Sequence, residues 1–192
     1  MIKKILVILG HPDSESFCGA LMQAYIDGAS KTGVEIRALK LGELSFDPVL
    51  WHGYQKIQAL EPDLVKAREL IECADHLVFV YPNWWGSMPA LMKGFFDRVF
   101  LPGFAFTYDD GVALPRKLLK GRTAHLMVAM DTPGWYYRWV FRKPGHTQMK
   151  RTILEFCGIK VAKITEFAPI KESSQKKRAK WLALAVKLGR AV

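Results

Sequence analysis

Three short stretches carry side chains that could do chemistry: GHPDSESFCGA from Gly10, YPNWWGSMPA from Tyr81, and AMDTPGWYYRWVFRKPGH from Ala129. The first places Ser14, Ser16 and Cys18 where a helical pattern begins. Backbone N–H groups at a helix start lack an intrahelical acceptor, and the helix dipole there favours negative charge. A phosphate held by Ser16, by N–H groups around Phe17 and by His11 fits that setting; so does a plain N-cap role for either serine. The glycines of a Walker loop or a GxGxxG turn are absent. In the second stretch Gly86 permits close approach of backbone to a ligand. Trp84 and Trp85 bring large flat rings to the same place. That combination suits a flat heteroaromatic guest with polar edges. The competing reading packs both tryptophans on the following helix; the expectation adopted is that one packs there and Trp85 lies nearer the guest. In the third stretch Trp135, Tyr136, Tyr137 and His146 could wall a small-molecule pocket, stack bases in a nucleic-acid groove or form a partner interface. His146 by itself reads as a helix-start or surface histidine.

Elements of two alternating kinds must position these stretches. Ile2 to Leu9 is a continuous β-branched and leucine-rich run, the pattern of a strand covered on both faces. After His11–Ser14 the apolar period lengthens to that of a helix, with Phe17, Leu21, Ala24, Tyr25 and Ala29 on it and Gly33 ending it. Val34 to Leu41 reads as a second strand, followed by a long polar and aromatic connection from Gly42 to Glu61. Pro62 opens a helix to about Ala74, and His76 to Tyr81 is the third strand. Pro89 opens a helix with Leu91, Phe95, Phe96 and Val99 on one stripe. Thr123 to Met130 and Lys160 to Thr165 complete five strands, with helices over about Thr147 to Cys157 and Ser173 to Leu188. Five strands alternating with five helices predict a parallel sheet covered on both faces, an α/β domain. Ligands bind at the carboxyl ends of such strands, near the point where strand order reverses. The loops His11–Cys18, Pro82–Met88 and Asp131–Tyr137 all leave such ends.

Composition narrows the function classes. The 192 residues are 50% hydrophobic and 24% charged, without repeats or low-complexity tracts, which predicts one domain over 1–192. The net charge of +10 fits nucleic acid, an anionic membrane surface, anionic small molecules or simply a solvated basic surface. No RNP motif, zinc finger or homeodomain pattern is present. Cys18, Cys73 and Cys157 make neither a disulfide framework nor a metal cluster, so the default compartment is the reducing cytoplasm. The apolar run that follows Lys3 and Lys4 ends at Gly10 and His11, too short for a secretory core or a membrane span.

HPDSESF after the first strand, YPNWWGSMPALMKGFFDRVF after the third and ILEFCGI before the fifth resemble the NAD(P)H:quinone oxidoreductase family. The resemblance covers roughly Lys3 to Val161. It implies a flavodoxin-like three-layer sandwich whose five-stranded parallel sheet has the order 2-1-3-4-5. It also implies a two-electron flavoenzyme and a homodimer with a site walled partly by the partner subunit. Carried over by position, it puts the flavin phosphate or pyrophosphate at His11, Ser16, Phe17 and Cys18. The isoalloxazine lies along Pro82, Asn83, Trp84, Trp85 and Gly86, with N–H groups of Asn83–Gly86 on its edge. Asp131, Thr132 and Gly134 stand where relatives carry a T-x-G-G-like turn, and Pro133 removes a backbone donor there. Tyr136, Tyr137 and His146 are loose counterparts of the family's catalytic Tyr and His. NADH or NADPH and then a flat quinone-like acceptor would use one face in turn, without a metal. FMN is the expectation, because the chain is shorter than family members that hold the larger cofactor, with FAD as the open alternative. The alternatives are a flavodoxin-type carrier, a regulatory subunit of a potassium efflux system and, from a different class, a basic nucleic-acid-binding module; the reading adopted has no nucleic acid as partner.

Overall fold

In the computed structural model, which describes residues 2–109, 111 and 114–192, the first apolar run forms strand β1, Lys4–Leu9. Helix α1, Phe17–Ala29, follows, then β2, Glu35–Lys40; α2, Pro62–Cys73; β3, His76–Pro82; and α3, Ala90–Val99. A small antiparallel hairpin, β4 (Phe106–Thr107) with β5 (Arg116–Lys117), intervenes before β6, Thr123–Ala129. Then come α4, Gly134–Trp139; a helical stretch of α5 (Pro144–Thr147), a π-helical segment (Gln148–Leu154) and α6 (Glu155–Cys157); β7, Lys160–Phe167; and α7, Gln175–Arg190. Met1, Asp110, Val112 and Ala113 lie outside the described residues.

The main sheet is parallel in the order β2-β1-β3-β6-β7, which for its five strands in chain order is the expected 2-1-3-4-5. Side-chain alternation divides its core into two. Leu6, Ile8, Phe79, Leu126 and Val128 face α2, α3 and the 144–157 helix. Ile5, Val7, Leu9, Val80 and Met127 face α1 and α7. All of these are buried, and each such side chain contributes roughly 1.5–3 kcal/mol against leaving it in water. Helices α1 and α7 approach so closely that a Cβ on Gly189 would lie 2.1 Å from the Tyr25 carbonyl oxygen.

The structure departs from the expected elements in three places. The hairpin has no counterpart in the sequence reading, because two-residue strands leave no periodic signal. The stretch expected as a loop through Tyr137 coils into α4, since only one turn of helix buries Tyr137 while its neighbours stay outside. The helix expected from Thr147 starts at Pro144, a residue suited to a first turn.

The long connection from Gly42 to Glu61 is held by a buried charge. The Arg98 guanidinium on α3, with no exposed surface, pairs with Glu61 Oε2 at 2.8 Å and donates to the carbonyls of Asp47 and of Ala59, the latter at 2.9 Å. A buried cation is tolerated only with such a set of partners. The sequence shows Arg98 only as one basic residue of a helix; its role depends on a segment far along the chain.

Two buried histidines make stability depend on pH. His76 Nδ1 meets Thr123 Oγ1 at 2.7 Å, and His125 Nε2 meets Thr165 Oγ1 at 2.9 Å. Burial, with nearby lysines, pushes each imidazole down to about 4. Between about pH 6.5 and 4 the unfolded chain therefore binds protons that the folded chain refuses, so stability falls as pH falls through that window. Urea midpoints followed from pH 7 to 4.5 should decline by the equivalent of ~2–3 kcal/mol per histidine, and His125→Gln should flatten about half of the slope.

Candidate functional site

Strand pairing decides which loops meet. Leu9 of β1 lies beside Val80 of β3, and Gly10 N–H donates to the Val80 carbonyl at 2.8 Å. On the other side Pro82 lies beside Ala129 of β6, and Asn83 N–H donates to the Ala129 carbonyl at 2.7 Å. The loops after β1, β3 and β6 consequently open onto one crevice. A cavity of about 240 Å³ there is lined by His11, Ser16, Phe17, Cys18, Pro82, Asn83, Trp84, Ala129, Met130, Asp131 and Ile170.

The end of the crevice nearest α1 carries free donors. Ser16 is the N-cap of α1, extended at ψ 167°, and its Oγ accepts from Gly19 N–H at 3.3 Å. The N–H groups of Phe17 and Cys18 have no acceptor within the described residues. His11 Nδ1 accepts from Asp13 N–H at 2.9 Å, and the His11 ring stands edge-on to Trp84 with centroids 5.4 Å apart. Burial pushes the Cys18 thiol up to about 12, so it lines the wall as a neutral group. Dipole, free N–H groups and a hydroxyl together make a cradle for an anion.

The 84–87 segment is a two-residue turn. Trp84 and Ser87 exchange both backbone hydrogen bonds at 2.9 Å, with Trp85 at φ 52° and Gly86 at φ 79°. Two successive positive φ values are the signature of a type I′ turn. The geometry revises two expectations. Trp84, not Trp85, borders the cavity, while the Trp85 ring at the turn's tip stands wholly in solvent. Of the four N–H groups expected to face a guest, those of Asn83 and Trp84 are already spent on Ala129 and Ser87, leaving Trp85 and Gly86.

The turn is clamped from behind. Tyr137 Oη donates to the Gly86 carbonyl at 3.1 Å and accepts from Gly145 N–H at 3.0 Å, and Ser87 Oγ meets Gln148 Oε1 at 2.6 Å. Burial raises the Tyr137 phenol's pKa, which keeps the donated proton in place. His146 Nε2 lies 2.9 Å from Glu166 Oε1, on which Lys143 Nζ also converges at 2.7 Å. Although burial opposes it, hydrogen bonds from Lys143 and His146 hold the Glu166 carboxyl below its usual range. Burial lowers His146 more than Glu166 raises it, so a neutral imidazole donates to a carboxylate whose charge Lys143 balances.

The structure thus brings His11, Ser16, Phe17, Cys18, Pro82, Asn83, Trp84 and Asp131 to one wall. Trp85, Gly86, Thr132, Gly134, Tyr136, Tyr137 and His146 are off it. Tyr137 and His146 are buried behind the turn, and Tyr136 is the exposed member of that trio. Asp131 is partly committed, its Oδ1 accepting from Lys171 N–H at 2.7 Å. Ile170 and Glu166 escaped the sequence reading. Ile170 lies on the loop after β7, another carboxyl-end loop, so the rule that singled out the other three would have reached it. A roomier groove, about 590 Å³, lies elsewhere, among Tyr54, Phe96, Phe100, Phe106, Tyr108 and Phe156. The donors and the strand-end loops belong to the smaller crevice, which is where ligand chemistry is possible.

Comparison with known proteins agrees with this architecture. Residues 3–187 match a family model described as a flavodoxin-like fold. A ribosyldihydronicotinamide dehydrogenase (quinone) of Rattus norvegicus is 29% identical over 94% of this chain and 88% of its own. The crystal structure of Smu.1420 from Streptococcus mutans UA159 superimposes with a TM-score of 0.85 at 31% identity, covering 98% of this chain and 100% of that one. An NAD(P)H:quinone oxidoreductase from Methanothermobacter marburgensis shares the fold with a TM-score of 0.80 at 23% identity, over 99% and 96% of the two chains.

Tyr137→Phe removes both hydrogen bonds behind the turn and should cost on the order of 1–3 kcal/mol, lowering the thermal midpoint by several degrees. Trp85→Ala, at a fully exposed ring, should change stability by no more than about 0.5 kcal/mol. Calorimetry on the two variants separates a clamped turn from a merely decorated one.

Proposed function

The chain belongs to the flavodoxin-like fold family, and from that premise we propose that it is a flavin-dependent NAD(P)H oxidoreductase that delivers two electrons to quinones or similar flat acceptors. The observation that carries the reading is the single crevice joining the donors at the start of α1 to the ribbon from Pro82 to Trp84. A phosphorylated planar cofactor needs that pair of features at once. Ser16, with the Phe17 and Cys18 N–H groups, would hold the phosphate, and His11 would close the cradle. Pro82 to Gly86 would flank the ring system, with Trp85 and Gly86 N–H groups as the remaining backbone donors. Asp131 borders the crevice on its far side, and Thr132 and Gly134 would extend that rim beyond the wall. The one anion cradle in the crevice favours FMN, with its single phosphate.

When bound, the flavin supplies hydride chemistry between a dihydronicotinamide and the acceptor. The protein's part is placement. Tyr137 fixes the Gly86 carbonyl, His146 fixes Glu166 and Lys143 behind it, and Tyr136 offers the exposed hydroxyl nearest that cluster along the chain. NADH or NADPH is the donor in this reading; the Rattus norvegicus protein's name gives ribosyldihydronicotinamide, a donor with the same reducing ring. Tyr137 and His146 serve in this reading as positioning residues: Tyr137 Oη holds the Gly86 carbonyl and the Gly145 N–H, and His146 Nε2 holds Glu166 Oε1.

The groove among Phe96, Phe100, Phe106, Tyr108 and Phe156, with exposed Tyr54 on its margin, is the surface we assign to a homodimer. One domain spans 1–192. Unpaired Cys18, Cys73 and Cys157 suit the cytoplasm, and no helix among the described residues is long and apolar enough to cross a membrane.

Protein reconstituted with FMN should turn yellow, bleach under NADH or NADPH, and recover colour with a soluble quinone. Mass spectrometry of the released cofactor should give FMN; FAD would overturn that choice, and protein that takes up no flavin would overturn the whole reading. Ser16→Ala should weaken flavin binding roughly 10-fold or more, the worth of one hydrogen bond to a charged group. The accompanying loss of a helix cap, ~1 kcal/mol, is measured separately on the cofactor-free protein.

A further inference from the structure

One surface remains that neither the crevice nor the dimer groove uses. From Trp135 to Arg142 every residue except Tyr137 is exposed, and the exposed ones include Trp135, Tyr136, Trp139, Val140 and Phe141. None of them lines either cavity. The 84–87 turn lies against this segment through the bond from Tyr137 to Gly86, and a Cβ on Gly86 would sit 3.4 Å from Pro144. The turn thereby adds Trp85, the most exposed large apolar side chain of the described residues, to the same neighbourhood. Soluble proteins rarely leave aromatic surface of this density uncovered.

Charge identifies what covers it. Between Asp131 and Glu155 the chain has no acidic residue, while Arg138, Arg142, Lys143, Lys150 and Arg151 are basic. Lys143 is neutralised by Glu166, and Arg138 lies over the Trp139 ring at 5.8 Å. Arg138 and Arg142 are thus exposed cations without a carboxylate partner among the described residues, set among tryptophan, tyrosine and phenylalanine. Aromatic rings with a polar tip, interleaved with arginines, are the composition of a segment that lies in a bilayer interface and meets anionic headgroups. The backbone is built for outward presentation. Among the described residues Trp85, Arg142 and Lys143 are the non-glycine residues with positive φ, at 52°, 58° and 52°; the first two stand exposed at this patch, while Lys143 turns back to Glu166.

We infer that the 135–142 segment with Trp85 is a peripheral docking surface for an anionic lipid bilayer, which would bring the mouth beside the 84–87 turn to the membrane plane where lipid-soluble quinones reside. The choice of bilayer over other partners rests on the proposed quinone chemistry and on the charge pattern; the docking itself is read without any activity. Sedimentation of flavin-loaded protein with sucrose-loaded vesicles of phosphatidylcholine and phosphatidylglycerol (about 70:30) should pull the protein down. Vesicles of phosphatidylcholine alone should retain several-fold less. Tryptophan emission should shift to the blue and be quenched by brominated lipid. Arg138→Glu with Arg142→Glu should weaken binding more than 10-fold, since each cation near an anionic surface is worth about fivefold. Trp139→Ser with Phe141→Ser should abolish the quenching. Wild-type protein that stays in the supernatant overturns the inference. So does vesicle binding that survives both double variants, because it would belong to the basic surface of α7. A shift of Trp139→Ser with Phe141→Ser from dimer to monomer in size-exclusion chromatography would make the patch a subunit interface and overturn it too. Reduction of a water-soluble quinone, assayed without lipid, tests the enzymatic reading on its own.

Discussion

Everything in the candidate site depends on the pairing of β1 with β3. The two strands run parallel with Leu9 beside Val80, so their carboxyl ends fall at one level and their loops emerge side by side. That pairing joins residues about 70 positions apart through a crossover, and the crossover fixes the point where strand order reverses. Close packing enforces it: a Cβ on Gly10 would lie 2.5 Å from Met92 Sδ and 3.0 Å from Tyr81 Cβ. A side chain at that position would displace the Met92 thioether and crowd the Tyr81 Cβ, loosening the packing of α3 against the sheet between the anion cradle and the aromatic turn.

Around this seam the protein uses polar interactions for aim and apolar burial for stability. The sheet's two faces supply the stabilising area. Arg98, by contrast, contributes little net energy once its desolvation is counted, since a buried pair barely offsets its own burial. Its effect is to dictate where the Gly42–Glu61 connection lies, and that connection carries Tyr54 to the edge of the aromatic groove beside Phe106 and Phe156. Tyr137 does the same for the 84–87 turn, binding the Gly86 carbonyl on one side and the first turn of the 144–157 helix on the other. In both cases one buried polar side chain bridges two segments whose contact no apolar pattern specifies.

That division explains what could be read from the sequence. Short apolar runs bounded by turn signals located the five strands of the sheet. Strands β1 and β3 are buried on both faces and leave runs such as ILVIL, while β2, at the edge, is more exposed and is marked by its brevity and by Gly33 and Gly42 on either side. The loops that line the crevice followed from the topology, and the helix-start donors from Ser16. The orientation of Trp84 and Trp85 did not follow, because it depends on a turn with two positive φ values, which tryptophan seldom adopts. Nor did the burial of Tyr137 and His146. An aromatic-rich segment with one inward side chain looks like a loop until the partners of that side chain are known. Those partners, Gly86 and Glu166, come from β3's loop and from β7.

The left-handed residues frame the aromatic segment on both sides. A bulky side chain at positive φ costs of order 1–2 kcal/mol, and glycine at the same place would remove that cost. Trp85 precedes Gly86 in a turn where asparagine and glycine are the comfortable pair. Strain of this kind persists where the surroundings hold it, and here the Tyr137 clamp and the Ser87–Gln148 contact do so. Arg142 and Lys143 repeat the pattern at the other border of the aromatic segment. Folding stability alone gives no reason to hold an indole and a guanidinium outward at two strained positions around one patch. A surface that must meet something outside the chain does give one, and the side chains presented are aromatic and cationic.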